Sequence, residues 1–240
     1  MSRLDTELVQ RYLAKSRTSA QGLIKNGIVY VNGSRVQKPS YEVVSTDEII
    51  LKGDLPKYVG RGGIKLEKAL TDFNIVLDDC TCIDAGASTG GFTDCMLQKG
   101  AKRVYAVDVG SSQLDEKLWA DKRVVSLENL DIRNAEDKIP EKADFISIDV
   151  SFISLKLVLP AAKRLLKSGG SIAALIKPQF EVGKSGLGKH GVVKSEALRQ
   201  QAVEEIKQFA AELGFNVNGV ITSPITGGEG NIEYLIHLSL

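Results

Sequence analysis

Four charged residues each close a short run of apolar, β-prone residues: Asp84, Asp108, Asp149 and Lys177. Parallel strands end at one edge of a sheet, so these side chains are expected at the edge where α/β proteins bind ligands. An unpaired ammonium group is costly to bury, which makes Asp149 the expected partner of Lys177. A lysine held beside a carboxylate can orient, deprotonate or stabilise a reacting hydroxyl group. A purely structural ion pair is the alternative.

A glycine-rich loop follows the first of these strands. Its sequence from Asp84 is Asp-Ala-Gly-Ala-Ser-Thr-Gly-Gly-Phe, and a helical pattern begins at Phe92. Glycines let the backbone approach a ligand closely, and the open N–H groups at a helix start can face its polar atoms. A strand, a glycine turn and a helix in this order predict a nucleotide-type binding corner. The expected ligand contacts are Asp84, Gly86, Ser88, Thr89, Gly90, Gly91, Phe92, Asp108 and Asp131.

The acids around this loop favour S-adenosylmethionine as the cofactor. Asp84 would repel a pyrophosphate group but attract the cationic amino-acid end of S-adenosylmethionine. Asp108 lies where such folds bind a ribose diol, a position that NAD-binding proteins also fill with an acid. Asp131 follows the strand Val124–Leu127, where the adenine edge could be contacted. For Asp84 the alternative is a carboxylate that caps a helix or stabilises a turn.

Strands and helices alternate from residue 61 onward, which predicts an α/β fold with a mostly parallel sheet. The segments 217–222 and 232–238 are expected to form a terminal antiparallel pair, and Gly169-Gly170 is expected to end a helix over 154–167. A helix that begins near Arg61 carries an apolar face of Ile64, Leu66, Ala69, Leu70 and Phe73. That stretch alone predicts an exposed Lys65. The segment from Glu181 to Lys194, which contains Lys184, Lys189 and His190, is either a substrate-side lid or a plain insertion.

The first 40 residues contain seven basic residues against two acidic ones, an excess of five positive charges in a chain whose net charge is +1. A small basic module joined to a larger catalytic body suits a polyanionic substrate. Leu4, Leu8, Val9 and Leu13 predict one helix, Ser19 to Lys25 predicts a second, and Asn32-Gly33 predicts a hairpin turn. We expect domains at 1–52 and 61–240 with a linker at 53–60.

Composition excludes several other classes of protein. Cys80, Cys82 and Cys95 lack the neighbours that would complete a zinc site, so buried or half-buried thiols and no metal are expected. The sequence has no apolar run of membrane-spanning length and begins Met-Ser-Arg-Leu-Asp, without an apolar signal segment. We therefore expect a cytoplasmic enzyme with no membrane partner. The oligomeric state is not predictable from these features.

The run from Leu4 through Ser16-Arg-Thr-Ser-Ala-Gln-Gly-Leu-Ile-Lys-Asn-Gly27 to Val31-Asn-Gly33 and Lys38-Pro resembles the small RNA-binding domain named after the fourth small-subunit ribosomal protein. The resemblance covers about residues 2–52. It implies that a helical face with Arg17 and Lys25 contacts structured RNA. The expected RNA-binding residues are Arg3, Arg11, Lys15, Arg17, Lys25 and Arg35. A solvated basic face without a partner is the alternative.

The order Lys65, Asp149, Lys177 and Glu233 resembles the Lys-Asp-Lys-Glu tetrad of FtsJ-like ribose 2′-O-methyltransferases. Together with the N-terminal module, the chain resembles the TlyA-like family of rRNA methyltransferases, which often carry the label hemolysin. The most specific matches are the segments 84–94, 149–154 and 177–181. The resemblance implies a Rossmann-like methyltransferase sheet, S-adenosylmethionine as cofactor, and rRNA or a ribosomal subunit as substrate, with cytidine as the methylated nucleoside.

Within that resemblance, Lys177 has two possible roles. It could remove the ribose hydroxyl proton if desolvation and Lys65 outweigh the effect of Asp149, or it could remain protonated and stabilise the developing alkoxide. Asp149 and Glu233 would orient the lysines. Three other functions compete with methyl transfer: an NAD-dependent dehydrogenase, an RNA-binding protein that has lost catalysis, and a membrane-active hemolysin. The dehydrogenase reading leaves the four charged residues unexplained.

Overall fold

A computed structural model describes residues 1–14, 16–53, 56–183 and 186–240. Lys15, Lys184 and part of the predicted linker (Asp54 and Leu55) lie outside the described residues. The chain divides into two compact units, Met1–Gly60 and Arg61–Leu240.

The N-terminal unit packs two helices beside short antiparallel strands. Its elements are β1 (Ser2–Arg3), α1 (Leu4–Gln10), α2 (Arg17–Lys25), β2 (Val29–Val31), β3 (Ser34–Arg35), β4 (Glu42–Val43) and β5 (Ile49–Leu51). Strand β1 pairs with β4, while β2 lies between β3 and β5. Asn32 and Gly33 both have positive φ and join β2 to β3, so the predicted hairpin turn is confirmed. These are the dihedrals that an Asn-Gly hairpin turn requires.

Helix α1 is shorter than its apolar pattern predicts. It ends at Gln10, and Tyr12 has a φ of +57°. The N–H of Leu13 donates to the carbonyl of Leu8, so Leu13 packs on the core from a turn and not from the helix. The Ser16 side chain caps α2 by accepting from the N–H of Ser19.

The C-terminal unit is built on a seven-stranded sheet in the order β11-β12-β10-β9-β6-β7-β8. Its strands are β6 (Thr81–Ala85), β7 (Arg103–Val107), β8 (Val124–Leu127), β9 (Ala143–Ile148), β10 (Leu166–Ile176), β11 (Asn216–Thr222) and β12 (Tyr234–Ser239). Its helices are α3 (Gly62–Asp72), α4 (Gly91–Gln98), α5 (Glu116–Trp119), α6 (Leu155–Leu165), α7 (Pro178–Glu181) and α8 (Glu196–Glu212).

The central strands of this sheet pair in parallel, and β12 pairs antiparallel with both β10 and β11. The predicted fold class, a mostly parallel sheet with a terminal antiparallel strand, is confirmed. The core lies between the sheet and its helices and is dominated by aliphatic side chains such as Ile83, Ile146, Ile172 and Ile236. Because the parallel strands point the same way, the residues that follow them lie at one edge.

The predicted boundary between α6 and β10 is wrong. Helix α6 ends at Leu165, and β10 begins at Leu166 instead of after Gly169-Gly170. Leu166 is buried and pairs with Ala143, and the register shifts between Leu166 and Ser171. Because Leu166 is paired and buried, the strand begins before the glycines. Gly169 and Gly170 lie where the register with β9 shifts.

Candidate active site

The glycine loop connects β6 to α4 at the carboxyl edge of the sheet. Gly86 and Gly90 adopt φ values of +88° and +93°, which residues with a side chain rarely adopt. A Cβ atom at Gly86 would lie 2.6 Å from the carbonyl oxygen of Asp149. The loop thus passes directly against the segment that carries one of the predicted catalytic residues. The other predicted loop residues are Ser88 and Thr89 before α4, and Gly91 and Phe92 in its first turn.

Asp84 lies beneath this loop with no solvent exposure. Its carboxylate accepts hydrogen bonds from the hydroxyls of Thr93 at 2.6 Å and Ser147 at 3.0 Å. Burial raises the pKa of Asp84 to about 6, although these hydrogen bonds favour its charged form. The carboxylate therefore links the end of β6 to Thr93 of α4 and to Ser147 of β9. A direct contact with a cofactor stays a prediction.

Asp108 and Asp131 follow the next two strands of the sheet. The carboxylate of Asp108 accepts from the N–H groups of Ser88 and Gly110, both at 2.7 Å, and so links the glycine loop to the end of β7. Asp131 caps a short helical turn over Ile132–Asn134 and pairs with Arg133 at 2.6 Å. The Arg133 guanidinium lowers the pKa of Asp131. Both acids lie at the sheet edge where the sequence analysis expects them.

Lys177 and Asp149 form an ion pair at the ends of the adjacent strands β10 and β9. The Lys177 Nζ lies 2.5 Å from Asp149 Oδ1, and Lys177 also donates to the hydroxyl of Ser151 at 3.0 Å. Lys177 is only 8% exposed. A buried ammonium with two oxygen partners has a fixed position, which suits it to act on a group bound beside it.

A second ion pair joins Lys65 to Glu233. The Nζ and Oε2 atoms lie 2.6 Å apart, and both residues are buried. Lys65 therefore differs from the exposed residue that its local sequence predicts, while Ile64, expected in the apolar face of α3, is 44% exposed. The reason is that α3 turns Lys65 inward toward Glu233, whose position 168 residues further along the chain no local pattern reveals.

The start of α3 brings the two ion pairs to the same edge. A Cβ atom built on Gly62 would lie 3.9 Å from Asp149 Oδ2 and 3.3 Å from the Phe92 ring. Lys65 follows one helical turn later in α3. The four charged residues therefore gather as two lysine–carboxylate pairs next to the glycine loop.

Three other residues that contact this edge were absent from the predicted set. The Ser151 hydroxyl accepts from Lys177, the Glu181 carboxylate accepts from Ser154 and from the N–H of Leu155, and the Asn231 side chain bonds to Gly191 and Val193. Ser151 and Glu181 lie within the segments 149–154 and 177–181 that the sequence analysis singles out, and Asn231 lies two residues before Glu233. Their closeness to those motifs is the signal that could have identified them.

Asn231 fixes part of the segment that the sequence left open as a lid or an insertion. Its side chain accepts from the N–H of Val193 at 3.0 Å and donates to the carbonyl of Gly191 at 3.1 Å. The buried Arg199 donates to the carbonyls of Val193 and Lys194. The carboxyl-terminal part of this segment is therefore hydrogen-bonded to the residues just before Glu233.

An exposed aromatic ring lies beside the Lys177–Asp149 pair. Phe152 is 91% exposed and has a φ of +64°, and its ring centroid lies 5.2 Å from that of Phe180. Left-handed backbone is unfavourable for a bulky residue. The fold thus holds an apolar ring in solvent at the edge where the charged pairs gather.

Comparison with known proteins finds a described family for each of the two units. Residues 58–240 match the profile of the family described as FtsJ-like methyltransferase. The chain belongs to that family. Residues 2–49 match the S4 domain, so the methyltransferase domain is preceded by a module of that type.

Relatives of this methyltransferase span almost its whole length. YqxC of Bacillus subtilis, provisionally named an rRNA methyltransferase, is 47% identical over 98% of this chain and 85% of its own. The 16S/23S rRNA (cytidine-2'-O)-methyltransferase TlyA of Mycobacterium tuberculosis is 43% identical over 99% of this chain and 89% of its own. A Streptococcus thermophilus structure, provisionally labelled a hemolysin, has a TM-score of 0.79 at 47% identity and covers 99% of this chain and 87% of that one. The expected relationship to TlyA-like proteins is confirmed.

Within the S4 domain, one buried carboxylate holds two arginines. Asp5 has no solvent exposure, and it accepts from Arg3 at 3.0 and 2.9 Å, from Arg17 at 3.3 Å and from Gln21 at 2.9 Å. The side chains of Arg3 and Arg17 are 47% and 57% exposed. The Arg3 guanidinium, with Gln21 and Arg17, holds the pKa of Asp5 well below its usual range. Asp5 therefore holds two half-exposed guanidinium groups that come from different parts of the chain.

The other basic residues of the S4 domain differ in their surroundings. Arg11 donates to the carbonyls of Val44, Ser45 and Asp47, and Arg35 donates to that of Gly27 at 2.8 Å. These two guanidinium groups hold loops of the domain. Lys25 is exposed in the last turn of α2. Binding of RNA by any of them stays a prediction.

The described residues contain no cluster of three or more His, Cys, Asp or Glu side chains that could hold a metal ion. Cys82 and Cys95 are buried and Cys80 is half-buried. No helix among the described residues is both long and apolar enough to span a membrane.

Proposed function

We propose that this methyltransferase transfers a methyl group from S-adenosylmethionine to a ribose 2′-hydroxyl of rRNA, with a cytidine as the target. The observation that carries the proposal is the pairing of Lys177 with Asp149 and of Lys65 with Glu233 beside the glycine loop. A cytidine in rRNA is the substrate in the printed name of the TlyA relative. The first 40 residues, nearly all of them in the S4-type domain, contain seven basic residues against two acidic ones, which suits a polyanionic substrate.

The glycine loop and its surroundings fit a cationic adenosyl cofactor. Residues 85–92 include no lysine or arginine that would neutralise a pyrophosphate, and the acids Asp84 and Asp108 lie on either side of them in the chain. A buried carboxylate below the loop adds negative potential in a region of low dielectric. We infer that residues 86–91 hold the amino-acid end and that Asp108 and Asp131 contact the ribose and adenine. When bound, S-adenosylmethionine supplies an activated methyl group on a sulfonium.

The lysine pairs would orient and activate the target hydroxyl. Lys177 is held by Asp149 and Ser151 with its Nζ at a fixed position, so it can hydrogen-bond a hydroxyl oxygen bound beside it. As the hydroxyl oxygen attacks the methyl group and its proton passes to solvent water, an ammonium group at that position stabilises the negative charge that develops on the oxygen. Lys65, oriented by Glu233, offsets negative charge on the same nucleotide. Phe152 offers an apolar face on which a nucleobase can stack.

Three competing functions have no support of this kind. A dehydrogenase would leave the two buried ion pairs without a role. An RNA-binding protein that had lost catalysis would not be expected to keep both pairs assembled at 2.5 and 2.6 Å. The hemolysin label of relatives has no counterpart in any membrane-spanning helix among the described residues.

Lys177→Ala tests the proposal. We expect methyl transfer to rRNA to fall at least about 100-fold, because an electrostatic stabiliser of the reacting oxygen is lost. The affinity for S-adenosylmethionine, measured by calorimetry, should stay within about twofold. Lys167→Ala is the matched control, since Lys167 lies at the other end of β10 and pairs with Asp144 at 2.7 Å. Mapping of ribose methyl groups by mass spectrometry identifies the product.

The proposed function fails if wild-type protein leaves rRNA riboses unmethylated. The proposed role of Lys177 fails if Lys177→Ala retains transfer, or if that variant instead loses cofactor affinity. A fall in transfer of the same size in Lys167→Ala would show a general effect of removing a lysine from this strand.

A further inference from the structure

Two segments at the catalytic edge lie alongside each other and are joined at both ends. One follows β9 and includes Asp149 and Ser154, and the other follows β10 from Lys177 through α7 to Glu181. The first junction is the contact of Lys177 with Asp149 and Ser151. The second is made by Glu181, one helical turn beyond Lys177.

Glu181 uses both carboxylate oxygens on the segment that carries Asp149. Its Oε2 accepts from the Ser154 hydroxyl at 2.6 Å, and its Oε1 accepts from the N–H of Leu155 at 3.0 Å. With both oxygens engaged, the carboxylate has a fixed orientation. Burial raises the pKa of Glu181, whereas these two hydrogen bonds and Lys156 favour its charged form.

This arrangement differs from ordinary capping of α6. Ser154 already caps that helix, since its hydroxyl accepts from the N–H of Lys156 at 3.1 Å. Glu181 comes from a different part of the chain, 26 residues beyond Leu155. Between the two junctions, the Phe152 and Phe180 rings lie 5.2 Å apart. The two segments are therefore joined by a polar contact, a ring contact and an ion pair.

We infer that Glu181 is a positioning residue for methyl transfer: by joining α7 to the start of α6, it sets the position of Lys177 relative to Asp149. This inference rests on the proposed function of the Lys177–Asp149 pair. Helix α7 has only four residues, so a rotation of its end is transmitted to Lys177 immediately before it. A displacement of about 1 Å at a reacting group can cost about 100-fold in rate.

The test compares Glu181→Ala with Glu181→Gln. In Glu181→Ala we expect kcat for rRNA methylation to fall about 10- to 100-fold, with cofactor affinity within about twofold of wild type. In Glu181→Gln the amide oxygen can accept from Leu155 and the amide nitrogen can donate to Ser154, so most of kcat should return. Ser154→Ala, which removes one of the two hydrogen bonds, should give an intermediate kcat.

Ser195→Ala is the matched control for loss of a helix cap. Ser195 caps α8 by accepting from the N–H of Leu198, at a helix start outside the two joined segments. We expect Ser195→Ala to lower the melting temperature about as much as Ser154→Ala does, but to leave kcat unchanged. If Glu181→Ala does not fold, Glu181→Gln and Ser154→Ala still provide the comparison.

The inference is overturned if Glu181→Ala methylates rRNA at the wild-type kcat, if Glu181→Gln is as slow as Glu181→Ala, or if Ser195→Ala slows kcat equally. If Glu181→Ala does not fold, a wild-type kcat in Ser154→Ala overturns it. These results differ from failure of the proposed function, in which the wild-type protein itself does not methylate rRNA.

Discussion

At the scale of single residues, glycines leave room for charged side chains at the edge of the proposed active site. Gly227 is the clearest case, because a Cβ atom there would lie 2.0 Å from Glu233 Oε1. Its φ is outside the left-handed region, so alanine could adopt the backbone conformation. The steric conflict would therefore fall on the Glu233 carboxylate, whose other oxygen lies 2.6 Å from the Nζ of Lys65.

We accordingly expect Gly227→Ala to lower kcat for methyl transfer about 10-fold, with a change in unfolding free energy below about 1 kcal/mol, because a flexible carboxylate shifts while the core is unchanged. Steady-state kinetics and urea denaturation measure the two quantities. Gly22→Ala is the control, since no atom lies within 4 Å of its Cβ position. Wild-type kcat in Gly227→Ala would mean that the Lys65–Glu233 contact is not needed for the reaction.

At the scale of secondary structure, the junction of β6 and α4 depends on the buried Asp84. Its folded-state pKa, about 6, lies above the usual value for an aspartate. The folded protein therefore binds a proton more readily than the unfolded chain between about pH 4 and pH 6, and stability contributed by this residue falls as the pH rises through that range. Across this range the change in the free energy of unfolding from this residue amounts to roughly 3 kcal/mol.

Asp84→Asn should remove this pH dependence. We expect the wild-type protein to gain stability from pH 7 to pH 4.5 relative to Asp84→Asn, because only the wild type takes up this proton. Urea unfolding of both proteins at each pH gives the difference directly. Equal pH dependence in the two proteins would contradict the raised pKa of Asp84.

Elements with a local signal were predictable from the sequence, and features set by distant partners were not. The strand, glycine turn and helix from Thr81 to Gln98 follow from glycine positions and an apolar period that act within a few residues. Burial of Lys65 depends on Glu233, far along the chain, so its own helix pattern suggested exposure. The early start of β10 likewise depends on pairing of Leu166 with Ala143, which overrides the glycines that follow.

At the scale of the whole molecule, basic charge is concentrated in the first 40 residues. Binding of RNA could depend on the net charge of this region or on the placement of individual charged groups. Net charge strengthens association with any polyanion and weakens as salt rises. Placement of guanidinium groups instead requires the buried carboxylate of Asp5, which holds both Arg3 and Arg17. Removal of that carboxylate separates the two effects, because it makes the domain more positive while it releases both arginines.

We expect Asp5→Asn to weaken binding of an rRNA fragment about 3- to 10-fold, although the variant gains one positive charge, because an arginine released from a fixed position loses side-chain entropy when it binds. Glu48→Gln gives the same change of charge at an exposed position of the same domain, and it should bind slightly more tightly. Filter binding at two salt concentrations measures both, with circular dichroism to verify folding. If Asp5→Asn folds and binds as tightly as Glu48→Gln, the affinity for RNA depends on the net charge of the domain and not on the orientation of Arg3 and Arg17.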